Sequence, residues 1–258
     1  FGEPPRGMWP GEGSVSQAML PLLAKAGIEW FATDVQVLGR SIGNPTPPAA
    51  QRFSMWQCNA DETTAAAIFR DTRLSDLIGF NYGSRDGAEA ARDFVNNLHT
   101  IREAVARESE RPVSQHVIPV ILDGENCWEH YDNDGKLFLH SLYDLLSSDP
   151  LLRTVTMSEC LAQSGELPVI ERLAAGSWIS ANFETWIGEP EENRAWDLLF
   201  DARQALDHMA FEDPADYERV LNLLLIAEGS DWFWWYGADQ TVDNEQSFDE
   251  AFRGTLKQ

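Results

Sequence analysis

Short apolar runs that alternate with amphipathic helical patterns are the feature that most constrains the fold of this chain. Three such runs cover residues 28–34, 64–71 and 116–126. Runs of this length are typical of buried strands, and strands that alternate with helices indicate a parallel sheet covered by helices. We therefore predict an α/β fold. The helical patterns lie at 17–27, 35–43, 73–81, 86–109 and 136–148.

The pattern changes near residue 157. Beyond that point the sequence has helical patterns at 195–209, 215–229 and 247–257, joined by loops that are rich in Gly and Trp. No further strand pattern alternates with them. We therefore predict an α/β domain over residues 1–157 and a helical domain over residues 158–258.

Acidic residues greatly outnumber basic ones in this chain. The sequence has 42 Asp and Glu against 19 Lys and Arg, which gives a net charge of −23. Nucleic acid and anionic membranes are therefore disfavoured partners, whereas a neutral sugar polymer meets no electrostatic barrier. No apolar run is long enough to be a membrane-spanning helix.

The cysteines and histidines predict no metal site and no cofactor. Cys58, Cys127 and Cys160 form neither a disulfide framework nor a zinc-binding pattern, and the histidines lack the spacing of metal ligands. The opening segment has neither the basic nor the apolar region of a signal peptide. Together these observations predict a protein of the reducing cytoplasm.

Acidic residues stand at the ends of two predicted strands. Asp34 closes the run 28–34, and Asp123 is followed by Glu125 and Asn126 at the end of the run 116–126. The ends of parallel strands meet at one rim of a sheet, where active residues gather. Two carboxyl groups on one rim suit the cleavage of glycosidic bonds, although barrel enzymes also use acids there for other chemistry.

Ten tryptophans are the strongest signal in the composition. The indole pairs a broad apolar face with one N–H donor, so it serves equally in large cores and as a platform for sugar rings. Core packing explains most of these tryptophans. It explains less easily the tryptophans that stand beside Gly, Asp and Glu in turn-like stretches. The candidates for sugar contacts are Trp9, Trp128, Trp178, Trp186 and Trp232.

Six segments together resemble the amylopullulanase-like group of glycoside hydrolase family 57. In chain order they are GMWPGEGSVS (7–16), WFATD (30–34), VILDGENCWEHY (120–131), GSWISANFETWIG (176–188), ENRAW (192–196) and EGSDWFWWYG (228–237). The resemblance implies a retaining α-glucan hydrolase or glucanotransferase. Its fold would be an incomplete seven-stranded parallel β/α barrel, with a helical domain that closes over the substrate cleft.

The resemblance also implies the roles of particular residues. The acid/base of the LDGEN-type motif falls on Asp123. The nucleophile of the family is a glutamate directly after the ATD sequence, and that position is occupied here by Val35, followed by Gln36. The implied substrate-binding residues are Trp9, Glu12, Glu125, Asn126, Trp128, Trp178, Trp186, Asp231 and Trp232.

Three interpretations of Val35 stay open at the level of the sequence. A retaining mechanism needs a second carboxylate about 5–5.5 Å from the acid/base, and valine provides none. In the first interpretation the chain is a catalytically silent protein that still holds α-glucan. In the second, Asp34 or Glu12 replaces the missing glutamate. In the third, the alignment of the motif with this sequence is displaced. Glu12 also precedes a predicted helix, where its negative charge would interact favourably with the positive end of the helix dipole.

The family usually has a His-Gln-Pro strand end and several β/α units upstream of the GMWP segment, and this sequence contains none of them. A barrel with these strands alone would leave an open parallel edge. The expected partners are therefore an α-glucan or maltooligosaccharide and the remaining N-terminal barrel strands of a longer parent chain. Another alternative is that the chain only scaffolds the rest of that longer enzyme.

Overall fold

The structure, a computed structural model, describes residues 2–124, 128–238 and 245–257. The chain divides into two compact units, Phe1–Ala181 and Asn182–Gln258. The boundary predicted near residue 157 therefore falls inside the first unit. The reason is a short strand after that point, Val169–Ile170, which pairs with the sheet of the first unit.

The first unit combines one sheet with seven α-helices among its described residues. The strands are β1 (Gly7–Met8), β2 (Trp30–Asp34), β3 (Trp56–Ala60), β4 (Thr63–Arg70) and β5 (Val169–Ile170). The helices are α1 (Leu20–Lys25), α2 (Val35–Ser41), α3 (Ala49–Arg52), α4 (Thr72–Asp76), α5 (Gly87–Glu108), α6 (Lys136–Ser148) and α7 (Met157–Gln163). A π-helical turn, Leu77–Asn81, continues directly from α4.

The sheet has the strand order β1-β2-β4-β3-β5. Strands β1, β2 and β4 are parallel, β3 is antiparallel to β4, and β5 is parallel to β3. The register of β2 and β4 pairs Asp34 with Arg70. The last residues of these two neighbouring strands therefore stand side by side at one rim of the sheet.

The core of the first unit follows from the apolar runs. In β4 every residue from Ala65 to Arg70 is buried, as expected for a central strand covered on both faces. One apolar cluster joins the sheet to the first helices through Phe31, Leu38 and Phe69. A second cluster joins α5 and α6, with Tyr82, Phe94 and Phe138 among its members.

The strand predicted over residues 116–126 is wrong for the part that the structure describes. Residues 116–124 form no ladder with the sheet there. Pro119 has no N–H to donate, which interrupts any ladder, and its carbonyl accepts a hydrogen bond from the Asp71 N–H at 3.2 Å. The Val117 N–H instead donates to the carbonyl of Phe53 at 2.8 Å. Strand β3 was not predicted, because its sequence WQCNA is short and partly polar.

The second unit is helical among its described residues. Its helices are α8 (Pro190–His208), α9 (Pro214–Ala227), α10 (Asp231–Trp234) and α11 (Glu245–Leu256). Both α8 and α9 begin with proline, whose fixed φ suits the first helical position. Phe233 and Phe252 are buried at its centre. None of the helices in the described parts of the chain combines the length and apolar character needed to cross a bilayer.

Candidate functional site

Arg70 ties three segments together at the rim where β2 and β4 end. Its side chain is only 5% exposed. One guanidinium nitrogen, Nη2, donates to Asp76 Oδ1 at 2.8 Å, and Nη1 lies 3.4 Å from Asp34 Oδ2. The third, Nε, donates to the carbonyl of Ile121 at 2.9 Å. Since Ile121 lies two residues before Asp123, Arg70 fixes the start of the segment that carries the predicted acid/base.

Asp34 is completely buried and caps helix α2. Its carboxylate accepts hydrogen bonds from the Gln36 N–H at 3.0 Å and from Thr72 Oγ1 at 2.9 Å. Burial raises the pKa of Asp34 above its ordinary value, and the bonds from Gln36, Thr72 and Arg70 oppose that shift. Both carboxylate oxygens are engaged inside the protein, so this placement favours the capping role over that of a substitute nucleophile.

Val35 is the first residue of α2, directly after Asp34. Its side chain is half-buried and packs against the apolar cluster that contains Phe31 and Leu38. Gln36, the next residue, is exposed. Position 35 therefore presents a hydrocarbon side chain at the rim, with no group that can attack an anomeric carbon or activate a water.

Trp9, Glu12 and Trp178 come together beside Arg70. The Trp178 Nε1–H donates to Glu12 Oε2 at 2.8 Å, and the rings of Trp9 and Trp178 meet edge to face at 5.7 Å. The guanidinium of Arg70 lies 5.1 Å from the centre of the Trp178 ring, within the range of a cation–π interaction. The structure thus places three of the predicted substrate-binding residues in one cluster, which we call the rim cluster together with Arg70 and Asp34.

The backbone of the rim cluster is unusual at two neighbouring positions. Glu12 has φ 55°, a left-handed conformation that is uncommon outside glycine and concentrates at functional sites. Gly13 has φ +56°, and a Cβ atom there would lie 2.8 Å from the Trp9 ring. Only glycine therefore lets the Trp9 indole approach the backbone so closely.

Asp123 is half-buried at the end of the segment that Arg70 holds. The preceding Leu122 packs against the second apolar cluster. Its predicted companions Glu125 and Asn126 lie outside the described residues. The role of Asp123 as acid/base stays a prediction.

Trp128 packs against aromatic side chains of the second apolar cluster. Its ring lies 5.5 Å from Tyr131 and 6.2 Å from Phe138. A Cβ atom at Gly135 would come within 3.1 Å of the Trp128 ring. Trp128 is half-buried in this position, so at least part of its predicted sugar-binding face is used for packing.

The predicted binding residues of the second unit take part mainly in its own packing. Trp186 is 6% exposed and lies 5.5 Å from the Trp234 ring. The Trp232 N–H donates to the carbonyl of Ile226 at 3.0 Å, and its ring lies 5.8 Å from Phe252. Asp231 is exposed as the first residue of α10.

Sequence reasoning missed Arg70 and Thr72, which contact Asp34, and Asp76, which pairs with Arg70. A signal was present, because Arg70 directly follows the apolar residues of the run 64–71, much as Asp34 stands at the end of its own run. A cation at the end of a buried strand needs an anionic partner. Which carboxylates serve depends on the pairing of β2 with β4, and the sequence does not show that pairing.

The rim cluster offers aromatic faces beside a carboxylate and a guanidinium. This combination suits a polyhydroxylated ring, which stacks on apolar faces and exchanges hydrogen bonds with charged groups. Across residues 2–124, 128–238 and 245–257, no three His, Cys, Asp or Glu side chains gather as a metal ion would require.

Comparison with known proteins adds a family to this geometry. The model of glycosyl hydrolase family 57 matches residues 1–171. No curated protein sequence matches the chain significantly.

Solved structures resemble this chain at low sequence identity. The 4-alpha-glucanotransferase from Thermococcus litoralis has 15% identity and a TM-score of 0.71, over 99% of this chain and 42% of that one. An alpha-amylase from Thermotoga maritima has 16% identity and a TM-score of 0.71, over 98% and 58%. The GH57-type branching enzyme from Pyrococcus horikoshii has 16% identity and a TM-score of 0.68, over 92% and 49%.

These likenesses confirm the α/β fold class predicted from the sequence. They also show that the chain spans between 42% and 58% of the length of these three solved proteins. At such low identity the likeness concerns the fold alone.

Proposed function

Because the chain belongs to glycosyl hydrolase family 57, we propose that it holds α-glucan or maltooligosaccharide chains at the rim cluster. The observation that carries this proposal is the grouping of Trp9, Glu12 and Trp178 around Arg70, beside the ends of β2 and β4. The names of the similar solved proteins, a glucanotransferase, an amylase and a branching enzyme, support an α-glucan as the ligand.

We further propose that this chain lacks the retaining chemistry of its family. In that chemistry one carboxylic acid protonates the leaving oxygen, while a carboxylate attacks the anomeric carbon and forms a covalent intermediate. Asp123 is the candidate for the first role. Val35 stands at the position of the second, and Asp34 is buried with both oxygens engaged. The function that the geometry supports best is therefore glucan binding without efficient cleavage.

A second candidate function is hydrolysis or glucan transfer with a replacement carboxylate. Glu12 favours it, because it lies in the rim cluster and keeps a carboxylate there. Its Oε2 accepts a hydrogen bond from the Trp178 Nε1–H at 2.8 Å, which holds the carboxylate in the cluster. A separation of about 6.5–9.5 Å from Asp123 would instead suit an inverting reaction.

The remaining barrel strands are proposed to come from a longer parent chain. This proposal is supported by coverage, because the chain spans less than two thirds of the length of each of the three similar solved proteins. A cytoplasmic location is likewise proposed, because the cysteines are few and form no disulfide pattern. Cys58 and Cys160 are free and buried in the structure.

The test is a chromatographic chain-length profile of maltooligosaccharides incubated with the longer parent protein and with its Val35→Glu variant. We expect no products from the protein and new chain lengths from the variant. Gln36→Glu is the matched control, because it adds the same charge one residue further along on an exposed side chain.

Products from the unmodified protein would overturn the claim of lost chemistry and favour the replacement carboxylate. A separate titration with maltoheptaose tests binding. If calorimetry detects no binding to the protein, the proposal that the rim cluster holds α-glucan fails.

A further inference from the structure

A second cleft lies in the first unit, away from the rim cluster. Its volume is about 560 Å³. It is formed by the end of α3, the start of β3, the segment after α5 and the turn before β5. A volume of this size is within the range of small-ligand sites. The side chains that matter most are Gln51, Ser54, Ser109, Arg111, His116 and Glu166.

Two polar atoms of this cleft lack hydrogen-bond partners. Gln51 Oε1 and Arg111 Nη1 are shielded from solvent, and neither has a partner among the residues that the structure describes. The rest of the Arg111 guanidinium is held in place: Nη2 donates to the carbonyl of Ser164 at 2.7 Å, and Nε donates to Gln115 Oε1 at 3.3 Å. Buried polar groups are nearly always paired, so one unpaired acceptor and one unpaired donor in a single cleft need an explanation.

His116 forms a third polar feature of the cleft. Its Nδ1 lies 3.2 Å from Ser54 Oγ and its Nε2 lies 2.8 Å from Ser109 Oγ. Burial, and then the charge of Arg111, lower the pKa of His116, so the ring is neutral near pH 7. The charged groups that line the cleft are then Arg111 and Glu166, and their charges cancel.

The cleft is separate from the rim. His116 begins the segment that runs to Asp123, so the two residues stand at opposite ends of it. The cleft also borders Trp56 and Pro168, where the Gln57 N–H donates to the Pro168 carbonyl at 2.8 Å. None of the residues that line it belongs to the rim cluster.

We propose that this cleft is a second saccharide site, which binds a glucose or maltose unit. A sugar hydroxyl both donates and accepts, so neighbouring hydroxyls can donate to Gln51 Oε1 and accept from Arg111 Nη1. Trp56, Leu167 and Pro168 supply the apolar wall that a sugar ring also needs. An anion is a poorer ligand, because Glu166 lines the cleft and the chain carries a net charge of −23.

Binding requires a small rearrangement. Both unpaired atoms are shielded from solvent, so the side chains of Gln51 and Arg111 must both shift to expose these atoms to the ligand. The choice of a glucose-type ligand rests on the proposed function, whereas the site itself rests on the cleft and its unpaired atoms.

The test is hydrogen–deuterium exchange of the protein with and without maltose at saturating concentration. We expect slower exchange of backbone amides in residues 109–116, with a separate protection at residues 176–181 beside the rim cluster. In Gln51→Leu the protection at 109–116 is lost, with an affinity at least about tenfold weaker, while the protection at the rim persists. Because Gln51 Oε1 is unpaired in the free protein, this variant should fold normally.

Trp178→Phe is the matched control, since it alters the rim and leaves the second cleft intact. The proposal of a second site is overturned if maltose does not slow exchange at residues 109–116 in the unmodified protein. It is also overturned if the slowing there is the same in Gln51→Leu. Loss of protection at the rim alone would instead count against the proposed function, so the two failures can be told apart.

Discussion

The rim cluster and the aromatic packing of the second unit use the tryptophan side chain in opposite ways. At the rim, the Trp178 ring faces the guanidinium of Arg70 and its N–H donates to the Glu12 carboxylate. In the second unit, the Trp196 ring stacks on Phe233 at 4.1 Å and its N–H donates to the carbonyl of Trp186 at 2.8 Å. What the ring face and the N–H meet, rather than the abundance of tryptophan, distinguishes the proposed glucan-binding cluster from tryptophans that only pack within their own unit.

The largest expected effect is the loss of Arg70. Arg70→Met leaves the carboxylates of Asp34 and Asp76 without their cation. Removing one partner of a buried ion pair typically costs about 3–5 kcal/mol in the free energy of unfolding. Chemical denaturation of the variant measures the loss. In the double variant Asp34→Asn/Arg70→Met we expect part of the stability to return; a double variant as unstable as the single one would contradict the role of Arg70 as the charge partner of Asp34.

Trp178→Phe sharpens the comparison, because it keeps a smaller aromatic face and removes the N–H donor. A hydrogen bond to a charged group contributes about 1.5–3 kcal/mol, so we expect a stability loss in that range. We also expect weaker binding of maltoheptaose, measured by calorimetry. Affinity equal to that of the unmodified protein would show that Trp178 does not position the ligand.

The matched change in the second unit is Trp196→Phe. Its stacking partner Phe233 remains, and the lost hydrogen bond is to a neutral carbonyl. Such a bond contributes about 0.5–1.5 kcal/mol. We expect this smaller loss in denaturation, with no change in maltoheptaose affinity. A loss of glucan affinity as large as that of Trp178→Phe would break the contrast between the two regions.

The smallest expected effect is a pH dependence that arises in the first unit. The pKa of His116 is lowered in the folded protein, mainly by burial. The unfolded chain therefore binds a proton more readily than the folded one. The stability that His116 contributes is present above its ordinary pKa, about 6.5, and is lost as pH falls through the lower folded pKa.

Thermal denaturation between pH 7.5 and 5 measures this dependence. His116→Gln should reduce the fall in the melting temperature relative to the unmodified protein. An identical fall in both proteins would assign the dependence to other groups.

The sequence predicted elements well where local signals and tertiary packing agree. Helix α6 has its predicted bounds, and α5 begins after Asp86, whose carboxylate caps it by accepting from the Glu89 N–H at 2.9 Å. Strand β2 ends at Asp34 with its apolar run, and β4 ends at Arg70, one residue before the end of its run.

The failures have physical causes that a single sequence does not display. The apolar run that contains Pro119 forms hydrogen bonds one residue at a time with separate partners instead of a ladder. Trp9, Glu12 and Trp178 were found as candidates, but their meeting with Arg70 depends on contacts between distant segments. No pattern along the chain records those contacts.

The bonds of Arg70 have a consequence for how this protein can change over evolutionary time. They anchor the rim through Asp34, Asp76 and a backbone carbonyl, and none of them involves residue 35. Replacing a carboxylate at that position therefore need not disturb the scaffold. If the proposed roles hold, one substitution at residue 35 would remove or restore cleavage while the residues proposed to bind the ligand stay unchanged, so that recognition and reactivity could be inherited as independent traits.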